Sequence, residues 1–181
     1  MDLIEYSKKG IDIALLKKEV IEEVAKDRNA TLPATIFLII GLSTITIVNA
    51  ILSNYTTSQI IYDIIFGSIF LTFLFYLATH ILARLFGSRN KFVLFYRAFT
   101  LTYIINLLGV FALIPKISIL IYIILLIWGI TINYFVIKET YKLSKGRIIG
   151  LLAILLLMIV IFSIISYIIA LIIGIETLPT G

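Results

Sequence analysis

Five long apolar runs limit what this chain can fold into: Ala34–Ser53, Ile60–Leu85, Phe95–Ile114, Ile117–Ile137 and Ile148–Ile173. A hydrocarbon core of about 30 Å is crossed by about 20 helical residues, and every run is long enough. Lipid offers the backbone no hydrogen-bond partner, so a crossing segment must be a helix or part of a closed barrel. None of the runs alternates polar with apolar residues, which argues against a barrel. The chain therefore reads as an all-α integral membrane protein, a compact bundle of five transmembrane helices. Composition agrees: 61% of residues are hydrophobic and 14% charged, against roughly 25% charged in soluble domains. The fifth run has no charge, and its insertion is favourable by on the order of 5 kcal/mol. The third and fourth are separated by Pro115-Lys116. Proline ends one helix there and lets the next begin, giving a tight hairpin.

Residues 1–32 form a separate tail that holds seven of the ten acids and six of the fifteen bases. Ile13, Leu16, Val20 and Val24 recur at helical spacing with charge between them. This predicts a short amphipathic helix over about residues 11–27, on the membrane surface or against a loop. Residues 33–175 are the membrane domain, and 176–181 a short outer tail. Orientation follows from the bases. The tail, the segment Arg84–Arg97 and the segment Lys138–Arg147 carry fourteen of the fifteen. A five-span topology puts all three on one side, which the positive-inside rule makes cytosolic. The amino terminus is then inside and the carboxyl terminus outside, in the plasma membrane if the chain is prokaryotic.

Chemistry is sparse. No cysteine is present and only one histidine, which excludes thiolate metal sites and any site needing two imidazoles. The chain has no H-E-x-x-H, G-x-S-x-G or P-loop pattern. The reading is non-enzymatic, with no catalytic, cofactor or metal residue assigned. Strongly polar groups inside a membrane mark candidate sites, and His80, Asn106 and Asn133 are such groups. His80 and Asn133 lie about 8 Å and about 6 Å inside the cytosolic face, so a hydrogen bond between their helices is expected. Gly146 and Gly150, then Ser166, Ala170 and Gly174, place small residues at every fourth position of the fifth helix, where they could allow close packing. The bases Arg84, Arg89, Lys91, Arg97, Lys138, Lys142, Lys145 and Arg147 are candidate contacts for anionic headgroups or a cytosolic protein. Several are interleaved with Phe86, Phe92, Phe95 and Tyr96. Nucleic acid is a poor partner, because these bases are topological.

The order of several motifs resembles the Yip family, the five-span membrane proteins named for interaction with Ypt/Rab GTPases. They are Thr79-His80-Ile81-Leu82-Ala83-Arg84-Leu85-Phe86-Gly87 with Lys91-Phe92, then Ile114-Pro115, Ile127-Trp128, and Lys138-Glu139-Thr140-Tyr141-Lys142-Leu143-Ser144-Lys145-Gly146-Arg147. The resemblance implies a five-helix bundle with a cytosolic amino terminus. In eukaryotic members it implies a role in vesicle traffic with prenylated small GTPases. This sequence lacks the Asp-Leu-Tyr-Gly-Pro motif of those members. The third-span signature is reduced to Thr102-Tyr103 with Asn106 nearby, so the chain looks like the prokaryotic, archaeal branch.

Two functions are compatible with these features. One is a membrane adaptor or organiser that recruits a cytosolic partner or anionic lipid. The other is a small oligomeric transporter or channel with a polar path through His80, Asn106 and Asn133.

Overall fold

The computed structural model of the chain describes residues 2–173, except the side chains of Ser166, Tyr167 and residues 169–173. Two short helices come first, α1 (Leu3–Ala14) and α2 (Lys18–Lys26). Five helices long and apolar enough to cross a membrane follow, and the described residues contain no strand. The first span is Thr31–Ser53, the second Thr57–Leu85, the third Phe92–Leu113, the fourth Ser118–Tyr141, and the fifth Lys145–Ile173. The protein is thus a multi-pass integral membrane protein.

Local chemistry sets the ends. Asp2 caps α1 by accepting from the backbone N–H groups of Ile4 and Glu5. Asp27 caps the single turn leading into the first span by accepting from Asn29 N–H. Asn54 ends that span with φ 55°, a left-handed conformation that asparagine tolerates. Thr56 and Gln59 form a capping box that starts the second span. The third, fourth and fifth helices extend beyond their apolar runs at the base-rich end, reaching Phe92, Tyr141 and Lys145.

The tail differs from the expected single helix over residues 11–27. It is an antiparallel helical hairpin that breaks at Leu15–Lys17, with Leu16 at φ 64°. The reversal brings Lys9 Nζ to 2.9 Å from Glu23 and the Tyr6 hydroxyl to 2.6 Å from Asp27. A continuous helix would put these partners roughly 20–30 Å apart. The break also lets both arms bury an apolar face. Ile13 on α1 and Ile21 and Val24 on α2 have no exposed surface. The hairpin packs on the third and fourth spans, in one core with Phe99, Leu101, Ile132, Val136 and Ile137. Trp128 on the fourth span donates its indole N–H to the Ala14 carbonyl at 2.8 Å.

Packing is uneven along the bundle. The core lies at the end that carries the tail, whereas the opposite halves of the helices present apolar side chains outward, as lipid-facing surfaces should. The first and third spans come closest. A Cβ on Gly41 would run into the Tyr103 carbonyl oxygen, and one on Gly10 would lie 2.6 Å from the Leu101 carbonyl oxygen. Gly146 and Gly150 on the fifth helix make no such approach. A Cβ on Gly146 would meet nothing within 4 Å, and one on Gly150 would make ordinary 3.5 Å contact with Phe86. The expected packing positions Ser166 and Ala170 have side chains outside the described residues, and Gly174 and the tail 176–181 lie wholly outside them. Gly41→Ala should therefore destabilise the bundle by about 1–3 kcal/mol through overpacking, and Gly146→Ala should not. Thermal unfolding of both variants in detergent checks this.

Candidate functional site

The polar residues at the base-rich end form a junction around the end of the fourth span. Lys142 terminates that helix with φ 54°, leaving the last carbonyls in need of donors. The Ser88 hydroxyl donates to the Tyr141 carbonyl at 2.9 Å, and the Asn90 side-chain amide to the Thr140 carbonyl at 2.6 Å. The connection between the second and third spans thus caps the fourth. Arg147 closes the circuit by donating to the Phe86 carbonyl at 3.1 Å. The Tyr141 side chain is buried. Its hydroxyl lies 3.0 Å from His80 Nδ1, and its ring stacks 5.5 Å from that of Phe95. Tyr76 packs edge-on against Phe95, Tyr96 and Phe99, so aromatic rings join the second, third and fourth spans. Each such pair contributes about 0.5–1.5 kcal/mol beyond its buried area.

The tail is tied to the same end by charge. Glu139 is only 6% exposed, with Lys142, Lys18 and Lys138 at 3.2, 3.8 and 3.9 Å. Lys142 also bonds Glu22 on α2. That hydrogen bond holds the Glu22 carboxyl below its ordinary value. Burial pulls Lys142 down, but its bonds to Glu22 and Glu139 outweigh this and leave it raised. Arg97 turns inward, donating to Thr31 Oγ1 at 2.8 Å and to the Ala25 carbonyl at 3.3 Å. Between the hairpin arms, burial and the bond to Asp27 push the Tyr6 hydroxyl up to about 12. The Tyr6 bond in turn lowers Asp27.

The eight candidate bases separate into two groups. Arg97, Lys138, Lys142 and Arg147 have partners within the protein. Arg84, Arg89, Lys91 and Lys145 are exposed, and among the described residues their side chains form no hydrogen bond or ion pair. The polar candidates are not brought together. His80 bonds Tyr141 rather than Asn133, because the fourth span continues past its apolar run and presents Tyr141 at that level. Asn133 is 7% exposed, and its side-chain oxygen has no partner among the described residues. Asn106 is half-buried, and no hydrogen bond links it to the other two. Sequence reasoning passed over Glu139, Ser88 and Asn90. The signal available was that Glu139 is the single acid between Asp63 and Glu176, set among lysines. Among the described residues no three His, Asp or Glu side chains cluster as metal ligands. The arrangement can hold the helix ends together and offer unpaired positive charge to an anion.

The Asp27 shift has a sign that can be tested. A carboxyl depressed in the folded state adds stability above its ordinary value of 3.8. That stability is lost as pH falls below it. The midpoint of thermal unfolding should drop between about pH 5 and pH 3, and Tyr6→Phe should shrink the drop. The family model described as the Yip1 domain matches residues 13–167. Neither a curated protein nor a solved structure matches the chain.

Proposed function

Since the chain belongs to the Yip1 domain family, a family of membrane proteins, we propose that it acts without catalysis, as a platform that recruits a negatively charged partner to its base-rich end. The observation that carries this reading is the unequal use of charge. One connection, Lys138–Arg147, has most of its bases occupied by Glu22, Glu139 and the Phe86 carbonyl. The other, from Arg84 to Lys91, has three exposed bases, and no acid lies in sequence between Asp63 and Glu139 to pair with them. The tail is not a free recruiting arm, since its apolar faces are buried in the core. By the positive-inside rule the base-rich end faces the cytosol, and for a prokaryotic chain the membrane is the plasma membrane. The transporter reading has less support, because His80 is bonded to Tyr141 and Asn133 lies among apolar core residues.

Cross-linking mass spectrometry on native membranes should capture a cytosolic protein through Lys91 or Lys145. The double variant Arg89→Glu/Lys91→Glu should lose that capture while its thermal unfolding stays unchanged. Capture that survives the charge reversal would refute the recruiting role of this connection.

A further inference from the structure

Two apolar grooves flank the second span, the least buried of the five. The groove between the first, second and third spans has a volume of about 570 Å³, and Leu38, Ile69, Phe73, Phe92, Val93 and Tyr96 are among its lining residues. The polar groups along it are already paired: the Thr35 and Tyr96 hydroxyls lie 2.8 Å apart, and the Tyr76 hydroxyl accepts from Thr100 at 3.5 Å. The wall is therefore suited to hydrocarbon. Phe73 lies on a stripe of the second span that continues to His80 and Arg84, both within about 20° of it at 100° per residue. Arg84 stands about 16 Å above Phe73 along the axis at 1.5 Å per residue. Lys91 directly precedes the lining residues Phe92 and Val93. Its side chain does not cap that helix, and no other side chain does. Arg84 and Lys91 are exposed and without an acidic partner among the described residues. The second groove lies on the other flank of the same span, with Leu74, Ala78, Leu155, Met158 and Phe162 among its lining residues.

We propose that the groove between the first, second and third spans is a binding site for one anionic phospholipid. An acyl chain lies against Phe73, Ile69 and Leu38, and the phosphate is held between Arg84 and Lys91. The occupant follows from charge and length together. A zwitterionic headgroup would bring its own ammonium to the mouth and so offset the two bases less than an anionic one. A soluble phosphate would leave the groove wall uncovered, and an acidic protein segment would be too polar for it. The roughly 16 Å from Phe73 to Arg84 matches the reach of a fatty acyl chain. This inference rests on the reading that the base-rich end recognises negative charge, and names a lipid as one of its ligands.

Native mass spectrometry of the full chain, released from detergent with phosphatidylglycerol or phosphatidylcholine added, tests it. One phosphatidylglycerol should be retained in preference to phosphatidylcholine, and glycerophosphate without acyl chains should not compete. Arg84→Gln and Lys91→Gln should each weaken retention about fivefold, the equivalent of about 1 kcal/mol per base. Arg84→Lys should restore most of it. Val93→Trp, which fills the groove without touching charge, should abolish it. Arg89→Gln, off the groove, should change it less than twofold. Equal losses from Arg89→Gln and Arg84→Gln, with Val93→Trp unaffected, would overturn the groove but leave the recruiting face standing. Equal retention of both lipids would overturn the site, and protein capture through Lys91 would then decide the recruiting role separately. A variant enters the comparison only if its thermal unfolding matches the parent chain.

Discussion

A helix that ends near a membrane surface leaves carbonyl groups that need donors, and in this protein the answer given for the fourth span organises everything around it. The Thr140 and Tyr141 carbonyls are met by Asn90 and Ser88, which fixes the preceding connection against the helix end. With that connection fixed, Phe86 is in place for Arg147, and the fifth helix is tied in. The same residue, Tyr141, reaches His80 with its hydroxyl and Phe95 with its ring. Net hydrogen bonds contribute only about 0.5–1.5 kcal/mol each. Leaving any of these carbonyls buried and unpaired would cost about 1–3 kcal/mol, so the closure is enforced more by what its absence would cost than by what it gains.

The two halves of the bundle answer to different solvents. Away from the tail, side chains face lipid, and association there rests on shape. At the base-rich end, α1 and α2 bring a water-style core to the third and fourth spans, with Ile13, Ile21 and Val24 fully covered. Ion pairs sit at the rim of that core rather than within it. Exposed pairs such as Lys17–Asp12 contribute little by themselves. Glu139, nearly covered and set among three lysines, is the exception, because removing its cations would strand a buried charge.

Much of this was legible in the residues. The five spans followed from run length, and the gathering of bases to one end followed from topology, since three separated basic segments had to meet if five helices crossed. The tail was harder. Its apolar spacing from Ile13 to Val24 fits one helix as well as two, and the reversal depends on partners far apart in sequence, Tyr6 with Asp27 and Lys9 with Glu23. Local periodicity carries no information about such contacts. Asn133 and His80 were placed at similar depth from rise per residue alone. That estimate ended the fourth helix at the end of its apolar run, whereas Glu139 and Tyr141 continue it because they find partners in the tail and in the second span. On the fifth helix the stripe Ser166, Ala170 and Gly174 lies outside the described side chains. Among the described residues, close approaches to a neighbouring backbone involve Gly41 and Gly10, single glycines with no repeat to mark them.

The position of the hairpin has a consequence for how the protein is made. Residues 3–26 leave the ribosome before the surfaces that cover them, which belong to the third and fourth spans, ending at Tyr141. At usual synthesis speeds the intervening chain takes on the order of ten seconds to appear. For that interval Ile13, Ile21 and Val24 have no place in the core. A segment synthesised well ahead of its partners is therefore buried only after they appear, and its many charges, seven acids and six bases within residues 1–32, keep it soluble while it waits.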